Sequence, residues 1–297
     1  MNKNFLVTGG TGFIGSSICE LLVKRGHRVT VLDNNSRGSL KRLLRLNNNI
    51  KFIKGDIRDK SKVFKSLKNI NAVIHLAYIN GTKYFYEKPD LILDVAVKGL
   101  VNIFDGCKKY NIKELYLASS SEVYQTPLKV PTNEDEPLKV PDINNPRYSY
   151  GGGKILTELM GVHYGKKFFK KLIIFRPHNV YGADMGNEHV IPEIISKLRK
   201  IKNNKILKIQ GTGNEIRSFI YIKDFVKAFN VLTAVYFPDK DIEIPEKLSL
   251  VNLYRIFFNT YFDTDYEILE DRHIWYNNII PQPYVHIDIT DKLNSLT

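Results

Sequence analysis

A run of eight residues, Thr8-Gly9-Gly10-Thr11-Gly12-Phe13-Ile14-Gly15, constrains this chain more than any other feature. It follows a short apolar strand, Phe5-Leu6-Val7, and leads into a helical pattern from Ser16 to Arg25. Glycines at such a strand-to-helix turn let the backbone approach a diphosphate closely. Its charge then rests on the free N–H groups and the positive end of a helix beginning near Gly12. The string satisfies both G-x-x-G-x-x-G and G-x-G-x-x-G, and its context makes it specific. A second strand, Arg28 to Leu32, leads to Asp33, whose carboxylate can accept hydrogen bonds from both hydroxyls of an adenosine ribose and would repel a 2′-phosphate. The dinucleotide is therefore read as NAD, with Arg37, a possible phosphate partner, leaving NADP open.

Downstream, apolar strands recur at Ile50–Lys54, Ala72–Leu76, Glu114–Ala118 and Lys171–Phe175, with helical patterns between several of them, notably 90–110 and 152–166. Alternation of this kind implies right-handed crossovers and a parallel sheet covered by helices on both faces, with ligands at the carboxyl ends of the strands. The expectation is an α/β chain with a Rossmann-type doubly wound sheet over 1–177, to which 215–235 returns. A smaller C-terminal substrate lobe would occupy 178–297. Thr126 to Pro146, with five prolines, reads as one long surface loop of the kind that often binds or covers ligands.

Composition excludes several classes. At 297 residues and 43% hydrophobic the chain can bury a large core. No apolar run reaches the roughly 18 residues of a membrane helix, and Cys19 and Cys107 lie inside helical patterns, so a disulfide framework is not indicated. A cytoplasmic protein without membrane association is expected. The formal charge of +13 is carried by scattered lysines without a long basic block, so a solvated basic surface is preferred to nucleic-acid binding. His163, His178 and His189 lack metal-ligand spacing, and no metal is expected.

Two segments carry reactive side chains: Ser119-Ser120-Ser121-Glu122 after the fifth strand, and Tyr150-Gly-Gly-Gly-Lys154. A Tyr and a Lys four apart share a helix face, which would set the ammonium beside the phenol oxygen. Bringing a phenol from a pKa near 10 to near 7 takes roughly 4 kcal/mol. One cation about 4 Å away at an effective dielectric near 20 supplies about that much. Each intervening glycine costs a helix roughly 1 kcal/mol relative to alanine, so something must approach that backbone closely; a cofactor ring or sugar is the candidate.

Together with Gly55-Asp56-Ile57, His75-Leu76-Ala77, Val123-Tyr124, Arg176-Pro177-x-Asn179-x-Tyr181-Gly182 and Arg217-x-Phe219-x-Tyr221-x-x-Asp224, these motifs resemble the extended short-chain dehydrogenase/reductase superfamily. Within it they resemble the NAD-dependent nucleotide-sugar epimerases and dehydratases, over about residues 4 to 234. The resemblance implies cofactor contacts from Gly9, Gly12, Phe13, Ile14, Gly15, Asp33, Asn34, Asp56, Ile57, Leu76, Ala77, Lys154 and Pro177. It implies oxidation of a sugar at C4 by bound NAD, with Tyr150 as base, Lys154 lowering its pKa and Ser120 holding the reacting hydroxyl. Asn179 and Arg217 would bind the substrate diphosphate.

A 4-epimerase is the first reading. The second is a decarboxylase or 4,6-dehydratase using Glu122, since the acid pair usual in dehydratases is here Ser121-Glu122. A degenerate NAD-binding non-enzyme is a third, suggested by an apparently shortened C-terminal lobe in which Arg272 is the one late arginine candidate. Relatives also pair the helices corresponding to 90–110 and 152–166, which implies a homodimer. Against the family pattern, Gly153 replaces Ser or Ala, Gln125 replaces Gly, and Ala96 replaces an Asn.

Overall fold

The structure is a computed structural model that describes residues 2–129, 132–165, 167–186, 189–200, 217–234, 274–276 and 286–288. Two compact units are present, Met1–Lys227 and Ala228–Thr297. The tail 238–245 and Arg272 lie outside the described residues.

The first unit is built on six parallel strands: β1 (Asn4–Thr8), β2 (Arg28–Asp33), β3 (Ile50–Lys54), β4 (Ala72–His75), β5 (Glu114–Ala118) and β6 (Lys171–Phe175). Their order is β3-β2-β1-β4-β5-β6, the doubly wound arrangement expected from the alternating pattern. Direction of travel reverses between β1 and β4, and a crevice opens there beyond their carboxyl ends. Two further strands, β7 (Asn179–Tyr181) and β8 (Phe219–Tyr221), pair in parallel as a separate ribbon. In the second unit β9 (Ile274–Tyr276) pairs antiparallel with β10 (His286–Asp288).

Helices α1 (Phe13–Lys24), α2 (Lys60–Ser66), α3 (Thr82–Glu87), α4 (Pro89–Asp94), α5 (Leu100–Lys109), α6 (Ser149–Met160), α7 (Val190–Lys200) and α8 (Ile222–Ala234) follow, with a 3-10 segment over Leu40–Asn49. The helix expected over 90–110 is α4 and α5 joined by a π turn, Val95–Gly99. Helix α1 begins three residues before Ser16, and α6 begins at Ser149, so Tyr150 stands in its first turn. Short α2 and α3 carry too few apolar repeats to announce themselves in the sequence.

Strands β1, β4 and β5 present almost unbroken buried apolar side chains, as a sheet covered on both faces requires. On one face Leu6, Val73, Leu115 and Leu117 pack with Leu100, Ile103, Phe104 and Cys107 of α5. Two contacts then shape the crevice. Gly9 has a φ of +73°, and a Cβ there would meet the Ala77 nitrogen at 2.8 Å; at Gly15 a Cβ would meet the Gly9 carbonyl oxygen at 2.2 Å. Buried Thr8 accepts from the backbone N–H groups of Leu76 and Ala77, both at 3.2 Å, and its oxygen lies 2.8 Å from His75 Nδ1. Its own hydrogen is left for that nitrogen, so β1 and β4 are pinned together where the crevice begins.

Replacing Ile103, which is fully buried, with alanine is expected to destabilise the first unit by about 2–5 kcal/mol. Denaturant melts should register this as a lower midpoint at unchanged slope.

Candidate functional site

A cleft of about 470 Å³, the size of a small-ligand site, runs along the carboxyl ends of the strands. One half is lined by Gly9, Gly12, Phe13, Ile14, Gly15, Asp33, Asn34, Asp56, Ile57, Leu76 and Ala77. The other half is lined by Ser120, Glu122, Tyr150, Lys154, Pro177 and Asn179. The sequence brought these residues to one place with one exception: exposed Arg217 does not line the cleft. Asn179 donates from its side chain to the Ser218 carbonyl at 3.0 Å, which ties it to the segment that carries Arg217.

The first half is an anion cradle joined to a carboxylate. Gly12 caps α1 with extended backbone and no side-chain cap, leaving the first-turn N–H groups for a ligand. Asp33 accepts from Thr11 N at 3.0 Å and Asn35 N at 2.8 Å, which fixes its orientation. A carboxylate has about four acceptor sites, so lone pairs remain for two ribose hydroxyls. Asp56 is gripped by Arg58 at 2.9–3.0 Å, and that guanidinium holds its carboxyl below the usual range. Buried Asn102 donates to the Ile57 and Arg58 carbonyls, anchoring this loop to α5. Glycines that tolerate no Cβ and a pre-oriented acid fit NAD. Arg37 also lines the cleft. It lies 5.7 Å over the Tyr84 ring and 3.4 Å from a Cβ position at Gly81, and its charge acts on Tyr150.

The second half holds the reactive groups. Tyr150 is buried and its phenol is pushed up to about 12, mainly by burial; a hydrogen bond from Ser120 and the charge of Arg37 oppose this, while Glu122 adds to it. Ser120 Oγ also accepts the Glu122 N–H at 3.2 Å, so the serine is held at the start of the turn Ser121–Val123. Glu122 lies at the cleft wall, 3.9 Å from Arg147. Lys154 stands four residues further along the same helix. Its ammonium donates to the Ala118 carbonyl at 2.7 Å and lies 3.9 Å over the Tyr78 ring, but 5.8 Å from the centre of the Tyr150 ring. Burial lowers its pKa to about 7, against a raising influence from Glu158. A carbonyl and an aromatic face are thus the direct partners of the cation, with the Tyr150 ring next beyond them.

Two glycines of the run are already crowded by the protein's own side chains. A Cβ at Gly153 would lie 2.1 Å from the Tyr78 hydroxyl, and one at Gly151 would lie 2.6 Å from Gln125 Nε2. The groups crowding this helix belong to the chain itself. Gln125 has a φ of +52°, which explains why its position suits glycine, and its amide donates to the Glu122 carbonyl.

Composition and spacing did not single out a network behind the serines. Ser119 donates to buried Glu158, which accepts from Arg176 at 2.8 and 2.6 Å; Arg176 also reaches the Tyr124 hydroxyl and the Glu134 carbonyl. Arg176 stood in a quoted motif, but its partner lies 18 residues away on another element. Among the described residues no three His, Cys, Asp or Glu side chains converge as a metal site would require.

With this geometry in view, the chain matches the model of the NAD dependent epimerase/dehydratase family over residues 5–242. The chain belongs to that family. A Methanocaldococcus jannaschii protein, which carries the provisional name UDP-glucose 4-epimerase, is 35% identical over 228 residues, spanning 75% of this chain and 71% of that one. The UDP-N-acetyl-alpha-D-glucosaminuronate decarboxylase of Bacillus cytotoxicus is 36% identical over 233 residues, 77% and 70% of the two chains. Among solved structures, UDP-glucose 4-epimerase of Thermus thermophilus in complex with NAD has a TM-score of 0.66 at 26% identity, covering 78% and 74%. This family member is an NAD-dependent enzyme of the epimerase/dehydratase type.

Lys154 gives a signed prediction for the cofactor-free protein. A lysine near 7 when folded and near 10.4 when unfolded opposes folding fully below pH 7, and the penalty fades as pH rises through 10.4. Lys154→Met should therefore be more stable than wild type, by on the order of 4 kcal/mol below pH 7 and progressively less above it. Thermal melts across pH would show the two stability curves converging at the alkaline end.

Proposed function

We propose that this protein is a nucleotide-sugar 4-epimerase that works through a transient 4-keto sugar. The observation that carries the reading is the convergence of Ser120, Tyr150 and Lys154 in one cleft with the Gly9–Asp33 dinucleotide cradle. Bound NAD would supply the two-electron acceptor for the sugar carbon and return the electrons on the opposite face.

The chain's own residues handle the proton. Ser120, whose hydroxyl draws the phenol pKa down, is placed to orient the C4 hydroxyl toward it. Tyr150 takes that proton on oxidation and returns it on reduction. With a phenol near 12 in the ligand-free site, deprotonation awaits added positive charge, from Lys154 in its ammonium form and from the bound cofactor. Asn179 and Arg217 are proposed to meet the substrate diphosphate from the β7–β8 ribbon, where a guanidinium fork matches phosphate oxygens. The substrate lobe is assigned to 178–297.

A second reading, decarboxylation or dehydration using Glu122, is favoured by the position of that carboxylate in the cleft wall beside Arg147. The Bacillus cytotoxicus relative lends it support. Buried, free Cys19 and Cys107 suit a reducing compartment, and the activity is proposed to be cytoplasmic. A homodimer is proposed through α4–α5, which exposes Leu93, Val97 and Val101, and through α6 with the π turn Gly161–Gly165 that follows it, which expose Leu159, Val162 and Tyr164. Apolar side chains clustered this way on a surface suit a protein partner.

Incubation with NAD and a panel of UDP-, GDP-, CDP- and dTDP-sugars, read by mass spectrometry with chromatography of isomers, should give a product of unchanged mass. Loss of water or carbon dioxide would make the Glu122 reading primary. Tyr150→Phe should lower turnover by about 10²–10⁴-fold while still binding NAD. For the assembly, Leu159→Glu should convert a dimer to a monomer in sedimentation equilibrium; an already monomeric wild type would remove the homodimer.

A further inference from the structure

Three peculiarities of this chain meet at one point. Tyr78, three residues beyond β4, lines the cleft with part of its ring while its hydroxyl is buried and has no hydrogen-bond partner among the described residues. The hydroxyl occupies the space a side chain at 153 would take, and Ala96 closes the same notch, with its Cβ 3.1 Å from a Cβ position at Gly153. Both positions carry small residues where the tyrosine enters.

From that seat Tyr78 touches both members of the reactive pair. Its ring stands edge-on to Tyr150, centroids 5.2 Å apart at 88°, and its face lies 3.9 Å from the Lys154 ammonium. Phe85 closes on Tyr150 from another direction at 5.6 Å. A residue serving only to fill the core would do so better as phenylalanine, since an unpaired buried hydroxyl is unfavourable. The contacts that do find partners are those of the ring, and the electron-rich face of an aromatic ring attracts a desolvated cation.

We infer that Tyr78 is a positioning residue for the Tyr150–Lys154 pair, its ring holding the Lys154 ammonium against the Ala118 carbonyl and bracing Tyr150 by its edge, in a seat that Gly153 and Ala96 leave open. The inference rests on the proposed role of that pair. With a larger residue at 153, a tyrosine at 78 would not fit in this pose. Gly153→Ser is expected to displace the ring and to reproduce the loss of Tyr78, and Tyr78→Leu added to Gly153→Ser should change little more, as for two residues sharing one contact.

The deciding experiment follows the Lys154 side chain directly. Ligand-free protein carrying ¹³Cε-labelled lysine, with Lys154 assigned through Lys154→Met, is titrated by NMR as wild type, Tyr78→Leu and Tyr78→Phe. Loss of the aromatic face should lower the Lys154 midpoint by about half a unit to one unit in Tyr78→Leu, and phenylalanine should restore it. In turnover assays the acid limb of the kcat profile should move up in Tyr78→Leu, since a less charged Lys154 stabilises the phenolate less, with KM changed much less than kcat. An unshifted Lys154 midpoint in a folded Tyr78→Leu protein overturns the inference. Should leucine prevent folding, Tyr78→Met asks the same question with an adaptable side chain. Because the titration needs no substrate, it stands even if every sugar fails; a shifted midpoint without turnover would count against the epimerase reading and leave the placement of Tyr78 intact.

Discussion

The carboxylate of Glu158 holds the reactive end of this protein together. It sits on α6, accepts from Ser119 at the end of β5 and grips Arg176, which follows β6. Through Arg176 it also fixes Tyr124 and the Glu134 carbonyl in the long loop. Two sheet strands, the helix bearing Tyr150 and Lys154, and the long loop thus share one ion pair. A buried pair of this kind adds little net stability, but loss of one partner strands a charge and is strongly destabilising. Its value here is geometric, because Ser120 stands next to Ser119 and inherits the position that Glu158 imposes.

Electrostatically the ligand-free site is set against its own chemistry. Burial raises the phenol of Tyr150 and lowers the ammonium of Lys154, so both groups lean toward their neutral forms. Neighbouring His75 is kept neutral as well, pushed down to about 3 by burial and by the charge of Lys154. A dry, low-dielectric pocket makes each added charge count for more. The same desolvation that holds both groups toward neutrality would sharpen their response to a cationic ring or a diphosphate brought beside them.

The parallel sheet was legible because its strands are nearly continuous apolar runs punctuated by glycines and acids at their carboxyl ends. Ile50–Lys54, Glu114–Ala118 and Lys171–Phe175 fall on β3, β5 and β6 without adjustment. The cofactor half was legible for the same reason: its contacts are local to single strand–helix turns. Interactions between distant elements were not. Nothing in the spacing of Tyr150 and Lys154 reveals that Ala118 and Tyr78 compete for the ammonium. Two of the three glycines, Gly151 and Gly153, mark a close approach to the helix, and the approaching groups come from residues 78 and 125, which no local pattern connects to 151 and 153.

The π turn between α4 and α5 has a consequence for how this long helix divides its duties. Its wider winding changes the angular phase of everything that follows relative to everything before. Val95 reaches the cleft wall, Ala96 abuts Gly153 of α6, Gly99 lets Ile57 come within 2.3 Å of where its Cβ would stand, and Leu100, Ile103 and Phe104 turn into the core. Val97 and Val101 are left facing outward. The turn therefore acts as a phase shifter, and the insertion or deletion of a single residue there would rotate a core-forming face by about a quarter of a turn, unseating the cofactor loop and the outer apolar surface in one event.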